Sequence, residues 1–251
     1  NDVCEKARIA LGAVGPRPLR AKAAERLLEG AKIDAALVAR AAEQAGYHAL
    51  WSSDHLLWDP DSTQRQCFDA WTLLTALVPL TTTLRLGMGV SLLPLHHPVD
   101  LAEQLAVLDV VSGGRLEVGI GRGGTLQDYQ TFQSDRADSR GRVEEGIALM
   151  RQCWSGAPFD FQGQFHSAEG LHVRPRPTQR PHPPLYIAAN SEDSVRSAAL
   201  LGLPTQSSFF VPVDELVRRQ AVYREASTAA GRTEAEIETL ERRSWGMRVV
   251  H

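Results

Sequence analysis

Cysteine is scarce. Cys4, Cys67 and Cys153 are the three in 251 residues, an odd number spread too widely for a disulfide framework or for paired metal ligands. A reducing, cytoplasmic setting is expected. No apolar run reaches the roughly eighteen residues of a membrane span, and the N-terminus lacks the charged-then-apolar pattern of an export signal. Excess positive charge is missing too: 27 Lys and Arg stand against 30 Asp and Glu, a formal net charge of -3 with no long basic run. That balance predicts no nucleic-acid partner and no membrane surface. Internal repeats and low-complexity tracts are absent.

What the chain does have is apolar material, 43% of its residues, enough for a sizeable core in one domain over 1–251. Strand-length apolar bursts, at 7–14, 48–53, 84–93, 115–121, 184–189, 204–210 and 246–251, alternate with helix-length stretches at 34–45, 66–78, 98–111, 139–154, 192–201 and 213–229. This is the pattern of a parallel sheet covered by helices. Seven strand signals with the chain ending after the last predict an α/β fold of the (β/α)8 TIM-barrel type lacking its last β/α unit. A doubly wound open sheet is the alternative, but "GAVGPRPLR" after the first strand does not match the GxGxxG turn of its dinucleotide site. Residues 123–138, polar and Gly-rich, and the Pro-rich 155–183 read as excursions beyond the barrel rim.

Barrel enzymes build their sites at the C-terminal ends of the strands. There "GIGRGG" (119–124) sets Arg122 among residues without Cβ atoms, so that an anion can approach the backbone closely. In "AANSEDS" (188–194), Asn190, Ser191 and Ser194 open a helix, either as an anion seat or as ordinary helix caps. His55 follows Asp54 after the second strand, where an imidazole near pKa 6.5 suits hydrogen bonding to a cofactor ring or proton transfer; a local turn is the other reading. "GMGVS" places glycines inside a strand, which suits a flat ring pressed against Gly89 and Val90, or a bulge. His96 and His97 read as rim residues, and no metal site is expected. Trp58, Tyr129 and Phe132 either line an apolar pocket or pack the loops.

The stretch "LRLGMGVSLLPLHHPVDLAEQLAVLDVVSGGRLEVGIGRGG" (84–124), with "AEQAGYHALWSSDH" (42–55), "LMRQCW" (149–154), "VRPRPTQRPHPPLYIAANS" (173–191) and "MRVVH", resembles the bacterial-luciferase-like flavin-dependent monooxygenase family over about 35–251. The resemblance implies a (β/α)8 barrel that binds reduced FMN at its C-terminal mouth and uses O2 to oxygenate a small organic substrate. It also implies a flavoprotein homodimer, with helices 66–78 and 98–111 as interface faces, served by a separate flavin reductase. By the same resemblance, Arg122 matches the phosphate-binding arginine, and Asn190, Ser191 and Ser194 match the phosphate loop. Gly89-Val90 matches a non-proline cis peptide beneath the ring system, and His55, preceded by Asp54, matches the active-site histidine.

Residues 4–33 instead resemble a fragment of the C-terminal domain of the FAD subunit of molybdenum hydroxylases of the carbon monoxide dehydrogenase type. The segment 1–33 is therefore an atypical N-terminal segment, with "RIALGAV" as a replacement first barrel strand or as part of a chimera. Two further functional readings stand beside the monooxygenase. The "SSDH" turn resembles relatives that use an 8-hydroxy-5-deazaflavin coenzyme for hydride transfer, and a truncated barrel could be inactive, with a structural or accessory role.

Overall fold

The computed structural model describes residues 3–7, 10–11, 19–54, 69–123, 125–208 and 211–246. The chain begins with two short strands, β1 (Ala10–Leu11) and β2 (Leu19–Arg20), and then α1 (Lys22–Leu28), α2 (Ala35–Ala45), β3 (Ala49–Ser52) and α3 (Ala70–Leu77). The centre comprises β4 (Arg85–Leu92), α4 (Pro98–Val111), β5 (Leu116–Gly121), α5 (Leu126–Thr131) and α6 (Ser139–Cys153). A hairpin, β6 (Phe159–Gln162) and β7 (Ser167–Leu171), precedes β8 (Leu185–Ala188), α7 (Glu192–Leu201) and β9 (Thr205–Ser207). Two helices, α8 (Val213–Ala229) and α9 (Glu234–Arg243), lead to β10 (Trp245–Gly246).

Six of these strands form one parallel sheet in the order β10-β9-β8-β5-β4-β3, with helices between successive members. The arrangement is the arc of an incomplete (β/α)8 barrel. Its centre is β5, whose six residues are all buried, as expected of a parallel strand covered on both faces. Local chemistry sets the helix ends. The Asp34 side chain accepts the Leu37 N–H at 2.7 Å to start α2, and Gly46, at φ 81°, stops it in the left-handed conformation. Pro98 occupies the first turn of α4, where its missing N–H costs nothing. The core between sheet and helices is built from Leu86, Met88, Val118 and Ile120 against Leu101, Leu105, Ile147 and Met150. Trp154 is buried beside them and donates its indole N–H to the Ala102 carbonyl at 2.9 Å, which ties α6 to α4.

The expectation of a first barrel strand at 7–14 fails. Ala10–Leu11 does not join the barrel sheet; it pairs antiparallel with Leu19–Arg20 in a separate two-stranded sheet. The cause is a competing anchor. Glu25, 4% exposed, grips the Arg20 guanidinium, and Ala24 of α1 packs on Ala41 and Ala45 of α2, so the segment docks on that helix and not on the edge of β3. The sheet therefore has six strands among the described residues, not seven. Residues 155–183 carry a hairpin inside the expected excursion, and α5 lies within 123–138. No helix among the described residues is long and apolar enough to cross a membrane.

Candidate cofactor site at the C-terminal ends of the strands

Arg122 leaves the end of β5 next to Gly123, whose φ of 76° lets the chain turn away at once. The turn is pinned from below: Tyr129, 2% exposed, donates its hydroxyl to the Arg122 carbonyl. Burial pushes the Tyr129 phenol up from its usual pKa, which keeps it a donor. The Arg122 guanidinium has no hydrogen bond or ion pair among the described residues. Arg122 lines a narrow hollow with Arg140, Ser194, Ser197 and Gly121. Two neighbours of that hollow are already engaged: Arg140 meets Asp193 at 3.0 Å, and Ser197 donates to Glu144 at 2.9 Å.

The three residues of the second loop divide. Ser191 is the N-cap of α7 and accepts the Ser194 N–H at 3.3 Å, while Ser194 Oγ accepts the Ser191 N–H at 3.0 Å, a reciprocal capping box. Ser194 also faces the hollow, giving its hydroxyl proton to the Ser191 carbonyl at 2.7 Å. Asn190 points elsewhere: its Oδ1 accepts the Ser208 N–H at 3.0 Å and so ties the exit of β8 to that of β9.

On β4 the Gly89-Val90 peptide is cis. A Cβ at Gly87 would stand 2.4 Å from the Trp51 ring, and one at Gly121 would stand 2.3 Å from Val90 Cγ2, so both glycines are required by neighbouring side chains. Ser53 donates to the Gly89 carbonyl at 3.3 Å. Asp54 accepts the Leu92 N–H at 3.2 Å and meets His96 Nε2 at 3.1 Å, which joins the exits of β3 and β4. His55 and Trp58 lie outside the described residues. His97 accepts the Val99 N–H at 3.3 Å as the cap of α4 and stacks edge-on with His166. No group of three metal-ligating side chains occurs among the described residues. Phe132 is exposed, whereas Tyr129 packs the loop.

Sequence reasoning passed over Arg140, Ser197 and the partnership of His96 with Asp54. Arg140, in the first turn of α6, and Ser197, midway along α7, have nothing local to mark them. The adjacent histidines were a signal for His96, but its partner is 42 residues away.

The model of the luciferase-like monooxygenase family matches residues 20–243. The chain belongs to that family. Among curated relatives of this luciferase-like chain, the oxygenase component of the flavin-dependent trigonelline monooxygenase of Acinetobacter baylyi is 29% identical over 167 residues, 66% of this chain and 45% of that protein. The F420-dependent hydroxymycolic acid dehydrogenase of Mycobacterium tuberculosis is 32% identical over 169 residues, 65% of this chain and 46% of its own length. Among solved structures, the monooxygenase RslO1 of Streptomyces bottropensis superposes with a TM-score of 0.68 at 30% identity, covering 79% of this chain and 60% of that one. The chain thus spans about half the length of the curated relatives it matches.

Proposed function

We propose that this chain carries the flavin site of a flavin-dependent monooxygenase, one that takes reduced FMN from a separate reductase and uses O2 to oxygenate a small organic substrate. The observation that carries the reading is the meeting of Arg122, from the exit of β5, with Ser194, from the helix after β8, on one hollow that Arg140 and Ser197 complete. The Arg122 charge, which stands there without a carboxylate among the described residues, and the Ser194 hydroxyl are donors for a phosphate dianion, with Arg140 adding a charge that it shares with Asp193. The donor set fits the cofactor.

When bound, reduced FMN supplies the two electrons that activate O2. The chain's own residues do the rest. Arg122 neutralises the phosphate, held in place by the Tyr129 hydroxyl on its carbonyl. Ser194 turns the proton it now gives to the Ser191 carbonyl toward a phosphate oxygen. The surface formed by Gly89, Val90 and Gly121, with a Cβ missing where Val90 needs the space, supports the ring system. Asp54, anchored by the Leu92 N–H and by His96, fixes the start of the segment that carries His55, the proposed proton donor and acceptor. The rim loops choose the substrate, and pairing of two copies through α3 and α4 is proposed on the same family grounds.

The second reading is hydride transfer with an 8-hydroxy-5-deazaflavin coenzyme, supported by the "SSDH" turn and by the F420-dependent relative. Oxygen uptake with chemically reduced FMN decides between them. Uptake coupled to substrate oxygenation supports the monooxygenase. Reduction of the deazaflavin without oxygen consumption supports the second reading, and binding of neither cofactor leaves the accessory role.

A further inference from the structure

A cavity of about 320 Å³ lies at the opposite ends of the strands from Arg122, beside Leu185 at the start of β8 and Pro204 just before β9. Four basic side chains line it: Arg151, Arg180, His182 and Arg243. Among the described residues, no Asp or Glu lines it. Arg151 stands in the last turn of α6, where a helix end favours a cation, yet its guanidinium makes no hydrogen bond or ion pair among the described residues and its Nε is buried. Arg180 commits only Nη1, to the Pro177 and Gln179 carbonyls. A fifth cation stands behind the wall: a Cβ at Gly202 would be 2.7 Å from Arg232 Nη2, and Arg232 Nη1 is buried without a partner. Burial, joined by the charges of Arg151 and Arg243, holds the His182 imidazole below its usual pKa.

Like charges gathered in a partly desolvated space are costly unless a counter-charge meets them. The carboxylates of the neighbouring elements are committed elsewhere: Glu117 to Arg85, Asp109 to Gln179, and Glu241 to Arg224. Glu236 caps its own helix, accepting the Thr233 N–H at 2.8 Å. We propose that this cavity is an anion site separate from the hollow at Arg122, one that takes a small multivalent anion of the phosphate class. Three guanidinium groups exceed the charge of one carboxylate, and their forks match phosphoryl oxygens. The volume lies at the lower end of small-molecule pockets, roughly 300–1,000 Å³, which suits two linked phosphoryl groups. No lining residue is shared with the Arg122 hollow, so the site is independent of the cofactor reading.

Calorimetric titration of the full Arg122→Ala chain, in which the other hollow has lost its free charge, reads this site alone. Pyrophosphate is expected to bind with one molecule per chain, more tightly than orthophosphate and than the dicarboxylate malonate at the same ionic strength. Adding Arg151→Met or Arg243→Gln should weaken pyrophosphate by roughly tenfold or more, the size of a charge-assisted hydrogen bond. Arg151→Met should leave the unliganded urea midpoint unchanged or raised, because it removes an unpaired, partly buried charge, and pyrophosphate should raise that midpoint less than it does without the substitution. If pyrophosphate does not bind, or binds as tightly after Arg151→Met and Arg243→Gln, the proposal is overturned. Malonate binding as tightly as pyrophosphate would overturn the assignment to phosphate.

Discussion

Arg122 is the residue on which the phosphate assignment turns, and its environment allows a quantitative expectation. Its guanidinium is unpaired among the described residues, whereas Arg140, which lines the same hollow, is held by Asp193. Arg122→Ala should therefore weaken FMN binding by about 1.5–3 kcal/mol, the range of a charge-assisted hydrogen bond, with Arg140→Ala costing less because its charge is already shared. Fluorescence titration checks this, and equal affinities for Arg122→Ala and wild type would remove Arg122 from the site. The glycines around Arg122 made it stand out in the sequence, as the run of small and polar residues did for Ser191 and Ser194. Asn190 was read from the same run, yet its side chain serves a strand-to-strand tie that only the fold creates.

At the scale of elements, periodicity worked where burial imposes it. The helices expected at 98–111, 192–201 and 213–229 have those bounds, β4 and β8 differ from expectation by a residue at each end, and β5 differs by one residue at its start. It failed where a carboxylate, and not an apolar stripe, organises the chain. Glu145 of α6 accepts the N–H groups of Gln164, Phe165 and His166 at 2.6 to 2.9 Å, so the turn of the β6–β7 hairpin is shaped by a residue outside it. Glu145→Ala is expected to speed amide exchange across Phe159–Leu171 far more than across β5, and uniform exchange rates would contradict that anchoring. Glu43 does the same for the approach to β4. Burial pushes its carboxyl up, but the N–H groups of Thr83, Leu84 and Thr82 and the Thr83 hydroxyl outweigh this and hold it at about 2, below the ordinary 4.5. The folded value is depressed, so this stabilisation is complete above the unfolded value of 4.5 and is lost as pH falls toward 2. Glu43→Gln should thus be less stable than wild type near neutral pH, with the gap in urea midpoint closing through that acidic window. A gap independent of pH would assign the effect to packing.

The molecule as a whole separates the ends of its strands. Near the N-terminal ends, Gln179, from the Pro-rich stretch before β8, gives its backbone and side-chain N–H groups to the two oxygens of Asp109 at 2.9 and 2.7 Å. The same amide donates to the Leu116 carbonyl at 2.8 Å and accepts from Arg85 at 2.9 Å, and Arg85 in turn meets Glu117 at 2.6 Å. One side chain therefore joins α4, β4, β5 and the segment entering β8, and Asp109 within it is fully buried. Barrels of this kind place stability at this face and chemistry at the other. Gln179→Leu keeps the bulk, removes the amide and leaves the Asp109 carboxylate with a single backbone donor from that residue, which should cost about 1–3 kcal/mol, the penalty of an unsatisfied buried group. The urea midpoint is expected to fall with its slope unchanged, because the loss is in stability and not in compactness. In the folded fraction, FMN affinity should equal that of wild type, since Arg122 and Ser194 sit at the opposite ends of β5 and β8. A variant that kept its midpoint but lost FMN affinity would show that the two faces are coupled and that the division of labour argued from the strand ends does not hold in this chain.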